Sequence, residues 1–152
     1  EIPETLDLRE LVDAAVVDAR RAGAQVRWTP CAAPVPCAVR ALALERILAN
    51  LLDNARRYGG GREIGVECER GRDQVVIRVL DSGPGIPEAE REAVFRPFHR
   101  LEPARSAAGG GSGLGLTIAR QLADANHWSI AIDARPGGGT ITTVRIACTL
   151  PA

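Results

Sequence analysis

The 152-residue chain contains no methionine and few aromatic residues, and it begins with glutamate, as expected for a segment cut from a longer protein. Its 19 basic residues balance its 19 acidic ones, so no net charge favours nucleic acid or an anionic membrane surface. No apolar run approaches the ~20 residues that cross a bilayer, and the opening "EIPETLDLRE" is not a signal peptide. These absences predict one soluble globular domain, 1–152, without nucleic-acid or membrane contact.

Metal-binding cysteine motifs are also absent. The four cysteines show no CxxC spacing, and only His99 and His127 could join them as ligands, which disfavours structural zinc. We expect reduced thiols, with a disulfide between Cys31 and Cys37 as the alternative.

Hydrophobic periodicity predicts the secondary structure. Helical spacing of apolar residues indicates helices within 5–23, 38–58 and 113–126, with a short one at 86–95. Alternation and turn residues predict strands near 24–30, 62–69, 74–81, 128–134 and 140–150. The proline-broken "CAAPVPC" reads as a loop, and 96–111 reads as a long loop of the kind tied to function. The predicted fold is α/β (α+β): a two-layer sandwich in which a mixed, mostly antiparallel sheet carries helices on one face.

Polar and glycine-rich motifs interrupt this pattern. Asn50 and Asn54 share one helix face beside the apolar stripe, where they are either satisfied core amides or ligand groups. "DSGPG" places Asp81 at a strand end, followed by glycines that let a flat ligand approach the backbone. "GGGSGLGL" runs into a helix start, where backbone amides favour phosphate, although such a string also suits a flexible linker.

The motifs NLLDN, DSGPG, FRPF, GSGLGL and GGGT, in this order, resemble the ATP-binding catalytic domain of bacterial sensor histidine kinases. The resemblance implies the Bergerat fold of the GHKL superfamily, shared with gyrase, heat-shock chaperones and MutL. "FRPF" and "GSGLGL" point to the histidine kinase branch, and "NARRYG" with "FRPF" is most similar to the osmosensing EnvZ type. The alternatives are an ATP-driven clamp or switch and an anti-sigma serine kinase, and the phenylalanine box argues against both.

The resemblance implies a site for two cofactors, ATP and Mg²⁺. Asn54 would bind Mg²⁺, Asn50 the neighbouring phosphate or water shell, and Arg57 the phosphates. Asp81 would accept a hydrogen bond from the adenine amine, supported by Thr140. Tyr58 would line the adenine or, equally, close the core. Residues 96–111 would form an ATP lid, pinned to the core by Phe95 and Phe98. The remaining implied ATP-binding positions are Gly83, Gly85, Ile86, Phe98, Gly111, Ser112, Gly113, Leu114, Gly115 and Leu116.

The implied activity is transfer of the ATP γ-phosphate to a histidine on a separate dimerisation domain. Family members carry that histidine in an "HE" or "HD" context, whereas His99 lies in "PFHRL" and His127 in "ANHWS". The isolated domain is therefore expected to bind ATP without phosphorylating itself. The resemblance further implies a homodimeric parent kinase in the bacterial inner membrane, with this domain cytoplasmic and a response regulator as the phosphate's destination.

Overall fold

The computed structural model describes residues 1–99 and 114–148. Its strands are β1 Glu4–Asp7, β2 Val26–Thr29, β3 Pro36–Val39, β4 Ile64–Arg70, β5 Gln74–Asp81, β6 Ser129–Ala134 and β7 Thr140–Ala147. Its α-helices are α1 Leu8–Arg21, α2 Ala41–Tyr58 and α3 Gly115–Ala125, and two short 3₁₀ turns span Glu88–Glu90 and Ala93–Phe95. No helix in these two ranges is long and apolar enough to span a membrane.

Five strands form the main sheet in the order β2-β4-β5-β7-β6, with β2 and β4 parallel and the other neighbours antiparallel. Alternate residues of central β5, Val75, Ile77 and Val79, are buried in the core that the helices cover. On α2, the inward residues Leu44 and Ile47 are fully buried. The predicted sandwich with helices on one face is confirmed.

A second, two-stranded sheet joins β1 and β3 in antiparallel pairing. The prediction that "CAAPVPC" is a loop is wrong at its end, because Pro36 and Cys37 begin β3. Proline is tolerated as the first residue of a strand. The pairing with β1 gives no periodic pattern in the sequence, so it could not be predicted from hydrophobic spacing. The predicted helix at 86–95 is also wrong. Only Val94 and Phe95 are buried there, which is too little apolar surface to hold a longer helix than two 3₁₀ turns.

Carboxylates of the opening segment cap α1 and α2. Asp7 Oδ1 accepts from the amides of Arg9 (3.0 Å) and Val35 (2.8 Å), so Asp7 caps the start of α1 and also holds the segment before β3. The N-cap residue of α2 forms no side-chain cap, and the Glu1 carboxylate instead accepts from the amide of Leu42 at 2.7 Å. The opening segment is thereby anchored to the helix that carries the predicted asparagines.

The cysteines differ from the expectation. Cys37 and Cys148 form a disulfide, whereas Cys31 and Cys68 are free and buried. Four reduced thiols were expected, which is wrong for this pair, and the alternative Cys31–Cys37 bond is wrong as well. The two bonded residues are 111 positions apart, and they meet because β3 lies beside Cys148, which follows β7, a contact that sequence spacing does not reveal.

Candidate nucleotide-binding site

A cavity opens where the end of α2, the end of β5 and strands β6 and β7 meet. The open space at this place measures about 280 Å³, a figure that includes solvent at its mouth. Predicted and unpredicted residues line it together: Asn54, Tyr58, Asp81, Pro84, Gly85, Ile86, Ile132, Thr140 and Thr142.

Asp81 is the buried carboxylate of this cavity. It is the last residue of β5 and pairs in register with Thr140 of β7. Burial raises the pKa of Asp81, and the opposing influences are the backbone amides of Gly83 and Thr140 and the charge of Arg135. The Gly83 amide donates to Oδ1 at 2.9 Å. A carboxyl group held in this way still has lone pairs available to a donor on a ligand.

Close backbone crossings surround Asp81 and require glycine. A Cβ on Gly83 would overlap the carbonyl oxygen of Tyr58, and a Cβ on Gly139 would overlap the carbonyl oxygen of Asp81. Gly139 also has a φ of +106°, and Gly85 one of +82°. Gly83 lets the segment after β5 pack directly against the end of α2, and Gly139 lets the β6–β7 turn pack directly against the end of β5.

The last turns of α2 carry the predicted residues Asn50, Asn54 and Arg57, and of these three Asn54 alone is in the cavity lining. Asn54 lines the cavity, and one turn earlier the buried Nδ2 of Asn50 finds no hydrogen-bond partner among the described residues. An unpartnered buried donor is uncommon in proteins and indicates that a ligand or water completes it. Arg57 Nε lies 3.2 Å from Asp53 Oδ2, and both side chains are substantially exposed.

Comparison with known proteins agrees with this geometry. Residues 39–150 match the model of the histidine kinase-, DNA gyrase B- and HSP90-like ATPases. The chain belongs to this ATPase family. It is 40% identical over 104 residues to the sensor protein KdpD of Mycobacterium tuberculosis, covering 68% of this chain and 12% of that protein. The sensor protein CutS of Streptomyces coelicolor is 37% identical over 149 residues, covering 93% of this chain and 35% of that protein.

A solved structure is similar over nearly the whole ATPase domain. The mycobacterial sensor histidine kinase MprB superposes with a TM-score of 0.80 at 28% sequence identity, covering 99% of this chain and 100% of that one. The present chain thus spans about a third or less of the two curated relatives but matches the MprB chain from end to end. The two curated relatives are named as sensor proteins, and the solved structure is that of a sensor histidine kinase.

Other predicted positions of the ATPase domain lie apart from the cavity lining. Leu114 precedes α3, Gly115 begins it, and Leu116 is buried in the core, so Leu116 could reach a ligand through its backbone alone. Gly111, Ser112 and Gly113, with most of the predicted lid, lie outside the described residues.

Phe98 corrects the expectation that both phenylalanines of "FRPF" pin the segment to the core. Phe95 is buried, but Phe98 is 68% exposed with a φ of +61° and does not line the cavity. Arg120 of α3 completes the anchor at Phe95, with its guanidinium carbon 3.9 Å from the ring centroid. Arg120 also donates to Glu92 at 3.0 Å, which lowers the pKa of that exposed carboxyl group. Phe95 therefore anchors this segment to the core, and Phe98 does not.

Three residues that line the cavity are not among the positions predicted from the sequence: Pro84, Ile132 and Thr142. Pro84 stands inside the "DSGPG" motif, so the motif itself could have indicated it. Thr142 follows Thr140 by two positions on β7 and therefore shares its sheet face, and Ile132 pairs with Thr142 across the β6–β7 ladder. The alternation of side chains along the predicted strands could therefore have indicated Thr142 and Ile132.

Proposed function

We propose that this domain binds ATP with Mg²⁺ and is the catalytic domain of a sensor histidine kinase. In that role it presents the γ-phosphate to a histidine on a separate dimerisation domain. Family membership and the cavity support ATP binding, and the names of the curated relatives support the sensor-kinase branch. The observation that carries the proposal is the buried Asp81 carboxyl group beside glycine-dependent backbone crossings in a chain of this family.

The cavity suits the adenine end of the nucleotide. Asp81 would accept a hydrogen bond from the exocyclic amine of adenine, and guanine, which has a carbonyl at that place, would meet an acceptor with an acceptor. Ile86 and Ile132 offer apolar surface for the ring. Tyr58 is 37% exposed and lines the cavity, which favours its role beside the base over its role as a core-closing aromatic.

The phosphate end would lie along the last turns of α2. Arg57 is held by an exposed i,i+4 ion pair with Asp53, a contact of about 0.3–0.5 kcal/mol, so a triphosphate could recruit its guanidinium at little cost. The unpartnered amide of Asn50 would donate to a phosphate or to water. Phosphoryl transfer rests mainly on such positioning and charge neutralisation.

The donor set fits a Mg²⁺ ion that arrives with its nucleotide. In the part of the chain that the structure describes, no group of three or more His, Cys, Asp or Glu residues could hold a metal. Mg²⁺ commonly takes one or two protein oxygens and completes its octahedron with phosphates and water. Asn54 would supply one amide oxygen, and the ion would neutralise charge on the β- and γ-phosphates.

The proposal extends to the parent protein. Neither histidine of the described residues lines the cavity: His127 is exposed in a turn, and His99 Nε2 lies 3.5 Å from Glu90 Oε1. The acceptor histidine would belong to a dimerisation domain, with a homodimeric parent in the bacterial inner membrane, this domain in the cytoplasm, and a response regulator receiving the phosphate.

Nucleotide selectivity tests the binding step. Calorimetric titration of the 152-residue domain should show ATP binding at least about tenfold more tightly than GTP in Mg²⁺, because a buried hydrogen bond to a charged group is worth about 1.5–3 kcal/mol. Adenosine and guanosine form a matched pair that isolates the base from the triphosphate. Equal affinity for ATP and GTP would show that Asp81 does not read the base and would remove the main support for the proposal.

A further inference from the structure

Two buried thiols meet on the helix-covered side of the sheet. The sulfurs of Cys31, just after β2, and Cys68, on β4, lie 2.7 Å apart. A disulfide bond measures about 2.05 Å, so a shift of about 0.7 Å would bring these atoms to bonding distance. Cys68 pairs in register with Ile77, four residues along β5 from Asp81, which places the sulfur pair outside the nucleotide cavity.

The surroundings of this pair decide which oxidation product is possible. Cys31 is 6% exposed and Cys68 is 7% exposed. Burial, and then the hydrogen bond with Cys31, raises the pKa of Cys68 and keeps it a thiol near neutral pH. Buried sulfurs leave no room for a bulky adduct such as glutathione, whereas a peroxide is little larger than water. If one of these two sulfurs is oxidised, the thiol that reacts with it next is the neighbouring cysteine, because an external thiol cannot reach the buried pair.

We propose that Cys31 and Cys68 form a disulfide when the protein meets hydrogen peroxide. The Cys31 sulfur attacks one peroxide oxygen and becomes a sulfenic acid, the O–O bond breaks, and the departing hydroxide takes the thiol proton of Cys31 and leaves as water. The second sulfur then displaces the sulfenic oxygen, which leaves as a second water, and the S–S bond forms. Two thiols lose two electrons and two protons, and one peroxide becomes two waters.

The bond would brace the segment that joins the two sheets. This segment, between β2 and β3, carries Val35, whose carbonyl oxygen accepts from the Leu8 amide at 2.9 Å and whose amide donates to Asp7. The Cys37–Cys148 disulfide already holds the far side of the segment. A bond between residues 37 positions apart should raise the melting temperature by about 5–15 °C through loop-closure entropy.

Peroxide treatment of the 152-residue chain tests the proposal. The exposure should suffice to oxidise free glutathione completely, and thiols are then alkylated in denaturant and counted by intact mass. We expect two fewer alkylated cysteines after peroxide, a new disulfide mapped to Cys31 and Cys68, no added oxygen and the stated rise in melting temperature. Cys31→Ser should abolish the new bond and the rise, and the Cys37→Ser/Cys148→Ser double variant should keep both.

The opposite results are equally specific. Unchanged alkylation of Cys31 and Cys68, added oxygens in place of the bond, or a disulfide linking two chains would overturn the proposal. A mapped Cys31–Cys68 bond with an unchanged melting temperature would overturn its bracing of the segment. Because the first measurement uses the unmodified chain, a variant that fails to fold does not spoil the test.

Discussion

Gly139 offers a sharp perturbation of the site, because its neighbour Gly138 provides a matched control. The two glycines stand in the same β6–β7 turn with φ values of +106° and +110°. A Cβ on Gly138 meets nothing within 4 Å, whereas a Cβ on Gly139 overlaps the carbonyl oxygen of Asp81 and lies 3.2 Å from Ser82 Cα. Alanine at either position thus shares the backbone strain, and alanine at 139 adds a collision.

The magnitudes follow from this difference. Left-handed backbone at a non-glycine residue costs about 1–2 kcal/mol, which both Gly138→Ala and Gly139→Ala incur. The Asp81 carbonyl cannot yield freely, because it lies in the β5–β7 ladder and accepts from Arg135 at 3.1 Å. Overpacking of this kind costs about 1–3 kcal/mol more. At about 2–4 °C per kcal/mol, Gly139→Ala should melt at least about 2 °C below Gly138→Ala.

Two measurements check the reasoning. Urea unfolding gives the free energies of unfolding of both variants, and titration with ATP gives their affinities. Gly139→Ala should also weaken ATP binding more than Gly138→Ala, because the displaced backbone carries the Asp81 carboxyl group with it. If Gly138→Ala proves as destabilising as Gly139→Ala, the close approach of the β6–β7 turn to Asp81 is refuted.

Two further substitutions separate the ends of the nucleotide. Asn54→Ala should weaken Mg²⁺-dependent ATP binding far more than adenosine binding, and calorimetry showing equal losses would contradict the metal assignment. Asp81→Asn should weaken ATP binding by about 1–3 kcal/mol. It should also raise the ligand-free melting temperature at pH 7, because the pKa of Asp81 is raised: its stabilising contribution is complete below the usual value of 3.8 and is lost as the pH rises through the folded pKa. Thermal melts from pH 4 to 7 should show this gain growing with pH, and a gain that shrinks would contradict the raised pKa.

Much of the fold could be predicted because its signals are local. The apolar stripe of α2 and the continuous apolar run of β5 identified a helix and a strand. The small sheet of β1 and β3 could not be predicted, because each strand is four residues long and its pairing joins segments about thirty residues apart. The cap on α2 could not be predicted for the same reason, because Glu1 and the Leu42 amide that it accepts from are 41 positions apart.

In the candidate site, too, the residues that could be predicted are those with a local sequence signal. Asp81 and Thr140 stand in glycine-rich motifs, and the structure brings them together in register. Thr142 and Ile132 stand in ordinary strand sequence, and their place in the cavity follows from pairing rather than composition. The prediction that Phe98 packs on the core was wrong because a motif specifies residue types only. The exposure of Phe98 accompanies a positive φ, which the letters "FRPF" do not indicate.

Phosphoryl transfer in trans tests the central claim most directly. The domain is incubated with γ-labelled ATP and Mg²⁺, alone and with the proposed dimerisation domain of the parent protein. Alone, the domain should bind ATP without labelling, because the nucleophile and an effective concentration of up to ~10⁵ M are lost when the acceptor is on another domain. Acid-labile label should appear on the added domain. Stoichiometric label on the 152-residue chain alone would contradict the account.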